Sequence, residues 1–193
     1  MRYNTGLAIA QNGRLLATRL DELVAAYPIA VEEIVLIGHS MGGLVVEGAC
    51  LLESRWAALV RHVVCLGTPH EGADLEKLTR TAADVLHAVP SPIARLLGNV
   101  LNLRSRGVKD LGLGAAHGGA GRAEWRATAR HYVVAGTLTD DPGRLVTRVL
   151  GDALVRVPGR AAPGVRVFPG IHHVALAHDG RVYEQIRAWL GGA

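Results

Sequence analysis

Apolar residues in this chain fall into short continuous runs and into longer runs with helical spacing. Four short, mostly apolar runs predict strands, and the first two are typical of strands buried in a sheet. They cover residues 34–37, 62–66, 131–135 and 165–168. Residues 7–27 and 181–190 repeat apolar positions every three or four residues, which predicts amphipathic helices, with Asn12-Gly13 indicating a turn or irregularity near the first helix start. Strands alternating with helices predict an α/β fold with a mostly parallel sheet.

The region between residues 71 and 130 has the least regular pattern. Residues 75–89 and 93–103 have a helical pattern, separated by Pro90-Ser91-Pro92, and residues 112–121 are rich in glycine. This combination suits a helical lid or acyl-binding cap, and a surface excursion without function is the alternative. We predict a single domain over residues 1–193, with residues 71–130 as a lid-like insertion.

The turn after the first predicted strand carries the candidate chemistry. Gly38-His39-Ser40-Met41-Gly42 is G-x-S-x-G, with an apolar strand before it and a helix of small and apolar residues after it. A turn this sharp exposes the serine hydroxyl at the strand end, and side chains at its glycines would collide with neighbouring backbone. Ser40 is therefore the candidate nucleophile, and the backbone N–H of Met41 is a candidate oxyanion donor. A serine that only caps the helix is the alternative.

Composition excludes several other classes of protein. The 193 residues carry a net charge of +4, from arginines scattered along the chain, and few aromatic residues, which argues against a nucleic-acid surface. Cys50 and Cys65 lie in apolar segments and are interpreted as buried thiols, without metal-ligand spacing. No signal peptide or membrane-spanning run is visible, so a cytoplasmic location is expected.

A serine nucleophile needs a base and an acid farther along the chain. Two acidic sites compete, Asp140-Asp141 after the third strand and Asp152 in G-D-A-L-V. The candidate bases are His172 and His173 after the last strand, with His178 a few residues later. If that segment is extended, only one of the two adjacent histidines can face Ser40, because successive side chains point to opposite sides.

Several segments give the chain a specific resemblance. It resembles the lipase and esterase branch of the α/β-hydrolase superfamily, near bacterial triacylglycerol lipases and GPI-inositol-deacylase-like proteins. In relatives the acid stands in a D-G-L-V segment and the base in an H-H-L segment, which implies Asp152 and His173 here. The resemblance also implies that His39 and His70 are structural. The matching stretches are Y-N-T-G-L, I-G-H-S-M-G-G-L-V, L-G-T-P-H-E-G, G-V-K-D-L, G-D-A-L-V and I-H-H-V-A-L, beginning at residues 3, 37, 66, 107, 151 and 171.

The resemblance implies hydrolysis of carboxylic esters or lipids through an acyl-enzyme on Ser40, without a cofactor. An acyltransferase or thioesterase with the same triad, an amidase-like hydrolase and a silent binding module are the alternatives. Relatives have an earlier strand with a His-Gly loop that donates a second oxyanion N–H, and this motif does not precede Ser40. We therefore expect an N-terminally incomplete hydrolase, whose exposed first strand favours self-association.

Overall fold

A parallel sheet of four strands forms the centre of the protein. The computed structural model describes residues 4, 6–52, 54–70, 129–137 and 164–191. Within these residues the strands pair in the order β1-β2-β3-β4, and every pair is parallel. The strands are β1 (Ile34–His39), β2 (Val60–Leu66), β3 (Arg130–Gly136) and β4 (Val165–Phe168). The predicted mostly parallel α/β architecture is confirmed.

Three α-helices flank this sheet in the described residues. They are α1 (Ile9–Ala26), α2 (Met41–Cys50) and α3 (Gly180–Trp189), with short 3₁₀ helices at Arg55–Leu59 and Ala175–Ala177. Strands β1 and β2 are longer than their predicted apolar runs. Strand β1 extends to His39, which pairs with Leu66, and β2 begins at Val60, which pairs with Ile34. The sequence pattern thus located the four strands and the three α-helices apart from residues at their ends, and it did not predict the two 3₁₀ helices.

The sheet separates two hydrophobic clusters, and β2 contributes to both. Val63 and Cys65 belong to the cluster that contains α1 and α2, whereas Val64 and Leu66 belong to the cluster that contains β4 and α3. Alternating strand side chains point to opposite faces, so a strand that is apolar at every position must be covered on both sides. The continuous apolar run of β2 therefore reflects its place between two helical layers.

Helix α1 crosses α2 at very short range, which corrects the interpretation of Asn12-Gly13. Both residues lie inside α1 and are buried, so they mark no turn. A Cβ atom on Gly13 would lie 3.0 Å from the backbone carbon of Gly48, so glycine permits the close approach. The Asn12 side-chain amide donates to the carbonyl of Asn4 at 2.9 Å, which anchors the segment before α1.

Several predictions fall on residues outside the described ranges. These are the insertion at 71–130 with its two helices, except for residues 129 and 130, and the acidic positions Asp140, Asp141 and Asp152. The single-domain assignment for residues 1–193 stays a prediction. None of the helices in the described ranges combines the length and apolar character needed to cross a bilayer.

Candidate active site

Ser40 occupies a strained turn between β1 and α2. Its backbone has φ 54° and ψ −130°, and among the described residues it is the non-glycine residue with a positive φ. Its N–H donates to the carbonyl of Leu66 at 2.8 Å, which continues the bonding between β1 and β2 beyond the last strand residue. Such strain persists only where surrounding structure enforces it, and it is the geometry of a nucleophile elbow.

Two glycines make room for this turn. A Cβ atom on Gly38 would lie 2.5 Å from the Cα of Gly43 and 2.8 Å from the carbonyl carbon of Gly42. A Cβ atom on Gly43 would lie 2.7 Å from the Cγ2 of Thr68, at the end of β2. The sequence had assigned this steric role to Gly38 and Gly42. The structure shows this role for Gly38 and adds Gly43, because the first turn of α2 lies close to the end of β1 and to Thr68.

Met41 is the first residue of α2 and is 4% exposed. The N–H groups in the first turn of a helix have no partner within the helix, and the helix dipole concentrates positive potential there. The Met41 N–H thus lies in the first turn of α2, directly after Ser40.

The two adjacent histidines after β4 differ sharply in burial. His173 is 6% exposed, whereas His172 is an exposed residue. The Nδ1 atom of His172 lies 3.4 Å from the N–H of Ala175, in the loop before α3. His178 is also exposed and follows the 3₁₀ helix. Of the three candidate bases, His173 is therefore the one inside the protein.

His39 connects the serine turn to the loop that carries His173. Its Nε2 atom is 2.9 Å from the carbonyl oxygen of His173, so the Nε2–H tautomer donates a hydrogen bond there. The two imidazole rings lie 4.9 Å apart between centroids, with an interplanar angle of 43°. His39, the residue before Ser40, therefore contacts His173, although the two histidines are 134 positions apart in the chain. This contact agrees with a structural role for His39.

Comparisons with known proteins agree with this fold. The PGAP1-like alpha/beta domain matches residues 8–93. The mature lipase BlEst2 of Bacillus licheniformis superposes with a TM-score of 0.61 at 20% identity, covering 95% of this chain and 74% of the lipase. A lipase-esterase related protein from Clostridium acetobutylicum gives a TM-score of 0.55 at 17% identity, covering 97% of this chain and 77% of that protein. The chain has the α/β-hydrolase fold.

Phospholipase PlaB from Legionella pneumophila also shares this fold, with a TM-score of 0.55 at 16% identity and coverage of 97% of this chain and 50% of PlaB. A search of curated proteins found no match to the sequence. In an open α/β sheet, ligands bind beyond the carboxyl ends of the strands. Ser40 follows the carboxyl end of β1 and His173 follows that of β4, so the α/β-hydrolase fold brings both residues to this edge.

A buried polar cluster behind the elbow escaped the sequence analysis. Glu47 of α2 is 6% exposed, and its Oε1 atom lies 3.2 Å from the Nδ1 atom of His70, beyond β2. The ligand atoms of Glu47, His70 and Cys65 all lie within 4.8 Å of one another. The contact agrees with a bracing role for His70. In the sequence, Glu47 could have indicated this cluster, because it is the single charged residue in the otherwise small and apolar α2.

Both cysteines are buried thiols outside any disulfide, as predicted. Burial, with a smaller contribution from the negative charge of Glu47, raises the pKa of the Cys50 thiol to about 12. Cys50 is therefore a protonated, unreactive group at neutral pH. Neither cysteine serves as a disulfide partner in the structure.

Proposed function

We propose that this protein hydrolyses carboxylic esters through an acyl-enzyme on Ser40. The observation that carries the proposal is the strained backbone of Ser40 at the carboxyl end of a parallel strand, directly before the helix that begins at Met41. The fold that the chain shares with lipases and esterases supports the same reaction class. In this position the hydroxyl is held at the sheet edge where α/β-hydrolases bind their substrates.

The proposed reaction starts when Oγ of Ser40 attacks the ester carbonyl while His173 accepts the hydroxyl proton. The Met41 N–H stabilises the negative charge that develops on the carbonyl oxygen. Collapse of the tetrahedral intermediate expels the alcohol, which takes the proton from His173. Water then attacks the acyl-enzyme, again with His173 as the base, and releases the carboxylic acid.

In this proposal Asp152 orients His173 and stabilises its protonated form. His173 suits the role of base because it is buried and its backbone carbonyl lies 2.9 Å from the Nε2 atom of His39. This bond fixes the loop that bears the base relative to the turn that bears the nucleophile. A fixed distance between base and nucleophile supplies the orientation that acyl transfer requires.

Ester hydrolysis is best tested with p-nitrophenyl esters of increasing acyl length on the wild type and on Ser40→Ala. We expect turnover by the wild type and its loss, by about 10⁵-fold or more, in Ser40→Ala. Ser54→Ala is the matched control, because Ser54 lies outside the elbow and its side chain makes no cap hydrogen bond. Ser54→Ala should retain full activity.

A fluorophosphonate probe tests the nucleophile without knowledge of the natural substrate. One phosphonyl adduct per chain should form on Ser40, because the probe reacts with activated serines. Turnover by Ser40→Ala at the wild-type rate, or labelling at another residue, would contradict the mechanism. Thioester and amide substrates in the same assay would identify a thioesterase or amidase that uses the same serine.

A further inference from the structure

The buried cluster behind the elbow contains three different metal-ligating side chains. Glu47 comes from α2, Cys65 from β2 and His70 from the segment after β2, and their ligand atoms lie within 4.8 Å of one another. Bond lengths of about 2.0 to 2.3 Å around tetrahedral zinc place neighbouring ligand atoms about 3.3 to 3.8 Å apart. The cluster would therefore need a contraction of about 1 Å, which side-chain rotations can supply.

Burial and polarity single out this cluster among the described residues. The side chain of Glu47 is 8% exposed and that of His70 is 22% exposed, while Cys65 is 3% exposed. The Nε2 atom of His70 is buried and has no hydrogen-bond partner in the described structure. Carboxylate and imidazole groups are costly to bury unless their charges and lone pairs are satisfied.

We propose that Glu47, Cys65 and His70 bind a divalent transition-metal ion, with Zn²⁺ as the best match. Thiolate, imidazole and carboxylate are the three ligand types of protein zinc sites, and water completes a tetrahedral sphere. The charges balance, because the Glu47 carboxylate and the Cys65 thiolate together neutralise the two positive charges of the ion while His70 stays neutral. Binding replaces the thiol proton of Cys65 with the metal and releases that proton to solvent.

A hydrogen-bonded Glu47–His70 pair without metal is the competing explanation. That pair accounts for the 3.2 Å contact between Oε1 and Nδ1, but it leaves the Nε2 atom of His70 buried and without a partner. A metal ion uses all three side chains, which is why the geometry favours a binding site.

The position of the site assigns the ion a structural role. Cys65 precedes Leu66, whose carbonyl accepts the N–H of Ser40 at 2.8 Å. Glu47 lies on the helix that begins directly after Ser40. A bound ion would cross-link the two elements that hold the strained turn, and binding to the folded state alone stabilises that state.

Cobalt titration of the metal-free wild-type protein is the primary test, because Co²⁺ bound to a thiolate gives a charge-transfer absorption in the near ultraviolet. We expect this band to saturate at one ion per chain and to disappear when Zn²⁺ displaces Co²⁺. Saturating Zn²⁺ should also raise the melting temperature. Absence of the thiolate band in the folded wild type overturns the proposal, and this outcome requires no variant.

Substitutions of single ligands locate the ion. Cys65→Ser should abolish the charge-transfer band, and Glu47→Gln and His70→Gln should each weaken binding more than about 100-fold, since loss of outer-shell partners alone costs 10- to 100-fold. Cys50→Ser is the matched control, because Cys50 is the other buried thiol and its raised pKa keeps it protonated. A band that survives Cys65→Ser or disappears in Cys50→Ser would refute the assignment.

Metal binding and ester hydrolysis are separate hypotheses with separate measurements. Ser40→Ala removes only the proposed nucleophile, so it should retain one cobalt ion per chain with the same spectrum. Circular dichroism of each ligand variant establishes that it is folded before its titration is interpreted. If a ligand variant does not fold, the titration and zinc displacement on wild type and Ser40→Ala still decide whether a thiolate site exists.

Discussion

The outer strands of the described sheet, β1 and β4, lead to the candidate nucleophile and to the candidate base. We call these two regions the serine end and the histidine end, and they are constructed differently. The serine end is local in sequence, since β1, Ser40 and α2 are consecutive and Gly38 touches Gly43 only five residues later. The histidine end depends on distant partners. The N–H of Thr137 donates to the carbonyl of Phe168 at 3.1 Å, and the loop that follows contacts His39 through the carbonyl of His173.

This difference identifies the interactions that control each half of the candidate site. Steric exclusion within a few residues defines the backbone of Ser40, whereas packing of the segment after β4 defines the position of His173. That segment is held by the buried side chains of Ile171 and Leu176, which belong to the same cluster as Val182 of α3. Substitutions at the histidine end should therefore act through orientation, and those at the serine end through backbone strain.

The largest expected effect comes from the adjacent histidines. His173→Asn should lower turnover by about 10⁵- to 10⁶-fold, because loss of the base costs as much as loss of the nucleophile in serine triads. His172→Asn should change turnover less than about tenfold, because His172 is exposed. Steady-state rates on one p-nitrophenyl ester measure both variants. A larger loss in His172→Asn would transfer the base to that residue.

The next largest effect tests the acid. Asp152→Asn should reduce turnover by about 10⁴-fold through misorientation of the base, whereas Asp141→Asn should have little effect. The same assay applies, with circular dichroism to compare the folded fractions. The opposite ranking would assign the acid to the segment that directly follows β3.

A smaller effect, on stability, tests the strain at the serine end. Gly38→Ala should lower the free energy of unfolding by about 1 to 3 kcal/mol, because its Cβ would lie 2.5 Å from the Cα of Gly43. Gly48→Ala is the matched control in α2, where the nearest atoms to a new Cβ are 4.0 Å away. It should raise stability by up to about 1 kcal/mol, as alanine favours helices. Urea denaturation measures both changes, and equal effects would contradict the steric argument.

The smallest expected effect concerns the outer strand of the sheet. Among the described strands β1 pairs with β2 alone, and Ile37 on β1 is 51% exposed. We propose that this apolar edge promotes self-association. Ile37→Thr keeps the β-branched shape and should decrease the oligomer fraction in light scattering, with a change in stability within about 0.5 kcal/mol.

Ile29→Thr is the control for this edge effect, because Ile29 is 70% exposed and lies outside the strands. The same substitution there removes at least as much exposed apolar surface without altering the sheet edge. Equal decreases in association for both variants would attribute the effect to general hydrophobicity rather than to β1.

The strands, the α-helices and the turn that carries the candidate nucleophile could be predicted from the sequence, because their causes are local. Short, mostly apolar runs located the four strands, and G-x-S-x-G between a strand and a helix located the turn whose φ of 54° the structure then showed. The adjacent histidines show where local information ends. Alternation predicted that they would differ, but only packing of the chain after β4 buried His173 and exposed His172.

Contacts between residues far apart in the chain could be identified only from the tertiary structure. Asn12-Gly13 has the composition of a turn, yet it forms the part of α1 that touches α2, because the approach of another helix is absent from local sequence. Glu47, Cys65 and His70 have no recognisable metal spacing, and they converge because β2 runs beside the elbow that starts α2. Local sterics can be read from a few consecutive residues, whereas convergence of side chains depends on how the whole sheet and its helices pack.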